Sequence, residues 1–308
     1  MKINSPFQTL PKECLAAASQ GMVYALDNDI ILKVPFQYEV TEEDLEQAHC
    51  WDLSLRSLVA MENESAVYQA LQESPHPNFV RRLIATRVDC LFLERLETLQ
   101  NAWPKAKHTQ RYRWALDLLA ALSWLEKIGF VHGDLAVRNL GVDRFSNCLK
   151  LFDFGSSISR SHPDYSNDMM RDHFGLATCL HFILSGIDPF ATVRSHSEAI
   201  EIRCKLESGQ WQVAKEAEVV ADTIQDGWAG RNGSMRFNQL FDRVANTFHR
   251  LSQYTTPTTL VEGHYQKLQS RCQDWLRYAQ ANPLWKDPDE YVAACQHVGH
   301  QAVLDDWR

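Results

Sequence analysis

The chain has 308 residues, near the length at which a single core divides into lobes, and its 45% apolar, 23% charged and 10% aromatic composition, with only 13 Gly and 11 Pro, excludes a disordered or collagen-like chain. Lys and Arg number 31 against 39 Asp and Glu, a formal net charge of -8, which excludes a broad phosphate-neutralising surface and with it nucleic acid as main partner. The eight cysteines stand singly without a C-x-x-C pair, excluding a zinc ribbon or disulfide framework.

Reduced thiols, the absence of a secretory pattern in Met1 to Leu10, and no run near the ~20 apolar residues of a membrane span together predict a cytoplasmic protein with no membrane partner. Oligomeric state is not legible.

In chain order, Met22 to Phe36 carries two apolar runs around Asp27-Asn28-Asp29, a turn-forming cluster, and predicts a β-hairpin. Leu58 to Glu73 places Ala60, Met61, Val67, Tyr68 and Leu71 on one helical face and ends at Pro75-His76-Pro77; a further strand is expected within Asp89 to Leu96. From Thr109, apolar residues at spacings of three and four predict a long buried helix. Leu140 to Val142 and Leu149 to Phe152 flank the polar turn Asp143 to Asn147, and helices are expected over Phe174 to Leu184 and Phe237 to Leu251, whereas Trp211 to Gly233 has no clear pattern. A Thr/Pro-rich connector, Tyr254 to Thr259, precedes two amphipathic helices, Glu262 to Ala279 and Pro288 to Ala302, whose apolar positions are expected to pack within the protein.

Chemistry concentrates in Phe130-Val-His-Gly-Asp-Leu-Ala-Val-Arg-Asn139, followed by Asp153-Phe154-Gly155. Asp134 could orient an attacking hydroxyl and accept its proton. Asn139 and Asp153 offer oxygens to Mg²⁺, with Asp153 able to bridge metals. Each Asp alone would be an ordinary turn former. The order, spacing and intervening hairpin resemble the H-x-D-L-x-x-x-N catalytic loop and D-F-G motif of the protein-kinase-like superfamily, closest to the small kinase-like proteins of filamentous fungi with their D-F-G-S-S sequence.

This resemblance implies an α+β, bilobal kinase fold: residues 1–96 as a small β-rich N-lobe with one helix, 97–250 as a larger helical C-lobe, and 251–308 as a C-terminal helical extension. It also implies ATP and Mg²⁺ as cofactors. Lys33 would lie on an early strand beside the nucleotide phosphates, held by Glu64, whose place on an apolar helical face demands a partner. Glu64 is expected to orient Lys33 rather than to fill core, and Glu62 points to another face. The implied catalytic set is Asp134, Lys33, Glu64 and Arg138; the implied nucleotide site is Gly21, Val23, Ile31, Lys33, Leu96, Asn139, Gly141 and Asp153, with Asn139 and Asp153 on metal.

Further matches are Asp172, which would brace the catalytic loop, and His162-Pro163-Asp164, whose acid would pair with Arg231 or Arg236. There are also departures. The three positions of the glycine-rich loop fall on Ala16, Ala18 and Gly21, and the arginine of H-R-D is Gly133. Only Ser156 to Ser161 separate the D-F-G glycine from His162. A loop this short argues against regulation by its phosphorylation. In the adenine slot the usual sizes are exchanged, with Ile31 as roof and Gly141 as floor.

The resemblance implies transfer of the ATP γ-phosphoryl group to a hydroxyl, on a protein or on a small molecule as in aminoglycoside and choline phosphotransferases. A pseudokinase scaffold is the third reading.

Overall fold

The computed structural model describes residues 2–18, 20–41, 48–249 and 262–303. The connector Tyr254 to Thr259 lies outside them. The described residues form two compact units: Met1–Gln69 with Arg81–Arg95 and Val261–Arg308, and Ala70–Val80 with Leu96–Leu260.

In the first unit a short strand β1 (Ile3–Asn4) pairs antiparallel with β5 (Gln37–Tyr38). The larger sheet has the order β2-β3-β4-β7-β6, from β2 (Glu13–Ala18), β3 (Gly21–Ala25), β4 (Ile30–Val34), β6 (Arg82–Ile84) and β7 (Leu91–Glu94). The expected hairpin is β3 with β4. Its turn closes because the Asp27 carboxylate accepts the N–H groups of Asp29 and Ile30, at 2.8 and 3.0 Å, an Asx turn that replaces ladder bonds. Helix α1 (His49–Glu73) starts nine residues before the expected Leu58.

The C-terminal helices α8 (Glu262–Tyr278) and α9 (Pro288–His297) belong to this first unit. From α8, Arg271 reaches both Asp27 and Asp29 in the hairpin turn, and the Tyr265 hydroxyl lies 3.2 Å from Glu94 Oε2. Asp287 starts α9 with a reciprocal capping box to Glu290.

After Ala70–Val80, the second unit resumes at Leu96 with β8 (Glu97–Thr98) and α2 (Leu99–Ala102), followed by the long α3 (His108–Lys127). The buried face of α3, including Trp114, Leu118, Leu119 and Leu122, forms the core expected from its periodicity. Next come β9 (Phe130–Val131), β10 (Leu140–Val142), β11 (Leu149–Leu151) and β12 (Ile158–Ser159). Strand β10 lies between β11 and β8, and β12 pairs with β9. The helices α4 (Tyr165–Ser185), α5 (His196–Glu207), α6 (Ala221–Trp228) and α7 (Phe237–His249) complete it. The segment without clear periodicity thus contains α6 between two 3₁₀ turns.

The architecture is mixed, β-rich at the N-terminal end and helical toward the C-terminal end, as the kinase fold requires. All eight cysteines are free thiols, and no helix among the described residues is long and apolar enough to cross a membrane.

Candidate active site

In the first unit, Lys33 sits in the middle of the sheet on β4, opposite Val23 on β3 and Leu91 on β7. Its Nζ donates to Glu64 Oε2 of α1 at 2.5 Å, and the two side chains are 8% and 1% exposed. Glu64 is therefore core as well as partner, so the expectation that it only orients Lys33 is too narrow. Gly21 opens β3 with φ +135°, and a Cβ there would lie 2.8 Å from the Val34 carbonyl oxygen. Of the three glycine-loop positions, this is the one whose backbone needs glycine.

In the second unit, the loop from His132 to Asn139 is fastened from α4. The Asp172 carboxylate accepts the N–H of His132 at 2.6 Å and that of Gly133 at 3.0 Å, one on each oxygen. His132 Nδ1 accepts the Asp134 N–H while Nε2–H donates to the Phe152 carbonyl, which fixes the tautomer. Burial lowers the pKa of this imidazole, keeping it neutral, as both bonds require. Gly133 has φ +77°, and a Cβ would lie 2.2 Å from the Ser156 carbonyl oxygen. The missing arginine thus reflects a loop that crosses the following segment too closely for any side chain.

Asp134 and Asn139 are set by this frame. Asn139 Nδ2 donates to the Asp134 carbonyl at 2.8 Å, so the amide oxygen is the atom of this side chain that could ligate a cation. Arg138 Nη2 bridges both carboxylate oxygens of Asp134, at 2.6 and 2.7 Å. Asp153 follows Phe152, whose N–H donates to the Asn139 carbonyl, so the two proposed metal ligands hang from adjoining backbone. Asp153 adopts φ +68°, a left-handed conformation that Asp tolerates better than most residues. The Phe154 side chain, fully buried against Phe79 and His132, fixes the next residue. One amide and one carboxylate fit Mg²⁺, which ordinarily takes one or two protein oxygens and completes its shell with phosphates and water.

The segment after Gly155 is short and pinned. Ser157 is buried and donates to the His132 carbonyl at 3.1 Å, and β12 closes onto β9.

Burial pushes the Asp172 carboxyl up to about 7, against the pull of its two N–H donors. With its folded value above the ordinary carboxylate value near 4, the stability it contributes is complete below pH ~4 and lost as pH rises through about 7. Asn does not titrate, so the stability gap between the parent and Asp172→Asn should narrow by up to about 4 kcal/mol between pH 4 and 8. A gap that widens in urea melts would show that the N–H donors dominate.

Two expectations take a different form. Arg231 pairs with Asp226 at 2.7 Å, not with Asp164, and the Arg236 backbone N–H bonds Gln239. Gly141, on β10 between Lys150 and Thr98, would place a Cβ 2.7 Å from Leu96 Cβ. Leu96 thus fills the volume that glycine vacates. Gly141→Leu should cost roughly 1–3 kcal/mol, relieved by Leu96→Ala; rescue by Ile31→Ala instead would restore the exchanged-size account.

Sequence reasoning missed Ser157 as a tether of the loop from His132 to Asn139 and Gly133 as a crossing point. The D-F-G-S-S run was the available signal for the first.

Residues 66–176 match the family model described as protein tyrosine and serine/threonine kinase. This stretch holds the loop from His132 to Gly155 and Asp172, and begins after Lys33 and Glu64. Over 107 residues the chain is 32% identical to the tyrosine-protein kinase hopscotch of Drosophila melanogaster, covering 32% of this chain and 9% of that protein. It is 27% identical over 168 residues to the tyrosine-protein kinase Fer of Mus musculus, covering 52% and 19%. Similarity to serine/threonine-protein kinase 1 of African swine fever virus is 25% over 114 residues, covering 34% and 38%. The chain thus covers less than two-fifths of each of these relatives. The matches support a place in the protein-kinase-like superfamily.

Proposed function

We propose that the protein is an ATP-dependent phosphotransferase that moves the γ-phosphoryl group to a protein hydroxyl. The observation that carries this reading is the joint fixing of Asp134, Asn139 and Asp153 by one frame: Asp172 holds the loop, Asn139 bonds the Asp134 backbone, and Phe152 ties Asp153 to Asn139. Asp134 orients the attacking hydroxyl and takes its proton, while Arg138 holds its carboxylate. Lys33, set by Glu64, binds the nucleotide phosphates. Asn139 and Asp153 would hold Mg²⁺, which when bound offsets charge on the transferred phosphoryl group. Gly21, Val23, Ile31, Leu96 and Gly141 are assigned to the nucleotide site on the resemblance. The D-F-G-S-S run supports kinship with the small fungal kinase-like proteins.

The reading is tested by thermal shift with ATP, with and without Mg²⁺, and by following labelled γ-phosphate. Stabilisation that requires both, with label on protein, is expected. No stabilisation by ATP would leave the scaffold reading. Label on a small metabolite would move the acceptor to the second class, which the short, pinned segment after Gly155 favours.

Activity should not need loop phosphorylation, since Ser157 is buried and already bonded. Phosphatase treatment is expected to leave turnover unchanged; silencing, with a phosphate mapped to Ser156, Ser157, Ser159 or Ser161, would reverse this.

A further inference from the structure

Helix α1 has two working faces. Glu64 lies on one. On the other, Trp51, Leu55, Leu58 and Val59, at helical spacing and 4% exposed or less, form a core with Tyr291, Cys295 and Ala302 from the C-terminal segment. At 100° per residue, Glu64 stands about 180° around the helix from Leu55. The helix is therefore held between Lys33 on one side and the chain's own C-terminal segment on the other.

Polar contacts lock the second side. His300 Nε2 lies 3.0 Å from Asp52 Oδ1 in the first turn of α1, and its ring meets Trp51 edge-on. The Tyr291 hydroxyl donates to the Tyr38 carbonyl at 2.8 Å. Gln37 and Lys286 exchange two bonds, Gln37 Nε2 to the Lys286 carbonyl and the Lys286 N–H to Gln37 Oε1. The same β5 stretch reaches α1, where Ser54 and Ser57 accept the N–H groups of Tyr38 and Phe36. The C-terminal segment thus grips α1 directly and through β5.

We propose that Tyr291 and His300 are positioning residues, and that the C-terminal segment is a built-in brace that holds α1 in the register bringing Glu64 to Lys33. The consequence for catalysis rests on the phosphotransferase reading; the mechanical part does not. A helix packed on one face alone keeps more freedom to shift, and a Lys–Glu bond tolerates little displacement.

The test uses the full chain, with Tyr291→Phe, which removes the bond to the Tyr38 carbonyl, His300→Ala, which removes both the Asp52 contact and the ring contact with Trp51, and Tyr291→Ala as the stronger variant. Amide hydrogen exchange is expected to rise across Leu58 to Ser65 of α1 by roughly three- to tenfold in the mild variants, with α3 and α4 unchanged. Mg-ATP affinity should fall in parallel, and fall no further when Glu64→Gln is already present. Parent-like exchange over Leu58 to Ser65 while residues 288–302 open would overturn the brace. A parent that binds no ATP would remove the phosphotransferase reading, with the exchange data still deciding the brace.

Discussion

Asp153→Asn is expected to abolish the Mg²⁺-dependent part of nucleotide binding and turnover while leaving the fold in place. The substitution suits the site because it changes little but charge. Asp153 sits at φ +68°, a conformation in which Asn is at least as well tolerated, and the two side chains have nearly the same shape. The Phe152 N–H to Asn139 carbonyl bond and the buried Phe154 ring involve neither carboxylate oxygen, so both anchors survive. What is lost is the anionic oxygen donor that a hard cation requires. Asp134→Asn makes the contrast. There the Asn139 amide still bonds the backbone carbonyl of residue 134, and the lost ion pair to the exposed Arg138 is worth little in stability. Nucleotide binding should persist while turnover falls by roughly 10²–10⁴-fold. Calorimetric ATP titrations over Mg²⁺ concentration separate the two variants. Unchanged Mg²⁺ dependence in Asp153→Asn would remove Asp153 from the metal site.

The loop that carries these residues was legible because its chemistry is local. His132 through Asn139 and Asp153 through Gly155 lie within 24 residues, and a short hairpin between them fixes their spacing. Asp172 was legible through the resemblance, as the acid ahead of the apolar stretch Phe174 to Leu184, although α4 itself starts earlier, at Tyr165. Glu64 announced itself as a carboxylate on an apolar face. The glycines were harder. Gly133 and Gly141 read as losses against the family pattern, yet each is demanded by a close approach, of the Ser156 carbonyl to one and of the Leu96 side chain to the other, that only coordinates reveal. The first turns of α1 were missed because their apolar residues answer to Tyr291 and Cys295, some 240 residues away, and periodicity within a window says nothing about a distant partner. Arg231 was assigned by family position, whereas Asp226 stands five residues before it and captures the guanidinium.

Glu64→Ala should lower both stability and turnover, and the pairing with Lys33 explains why one variant cannot separate them. The two side chains are almost wholly removed from water and meet at 2.5 Å. Removing the carboxylate takes away the buried acceptor that meets the Lys33 ammonium at 2.5 Å, and breaking a buried pair from one side costs about 3–5 kcal/mol, a large share of the stability of an ordinary domain. The melting temperature should drop by roughly 6–20 °C. Replacing both partners with apolar groups of similar volume, as in Lys33→Met with Glu64→Leu, removes both buried charges together. Stability should then return to within about 1 kcal/mol of the parent, or exceed it, because a buried pair gains little over good apolar packing. Turnover should not return, since the ammonium proposed to bind the nucleotide phosphates is gone. That combination, a stable but silent double variant beside an unstable single one, would assign the pair to chemistry rather than to folding. A double variant that regains both stability and activity would take Lys33 and Glu64 out of the catalytic set, and a single variant that melts like the parent would mean that the Lys33 ammonium finds another acceptor once Glu64 is gone.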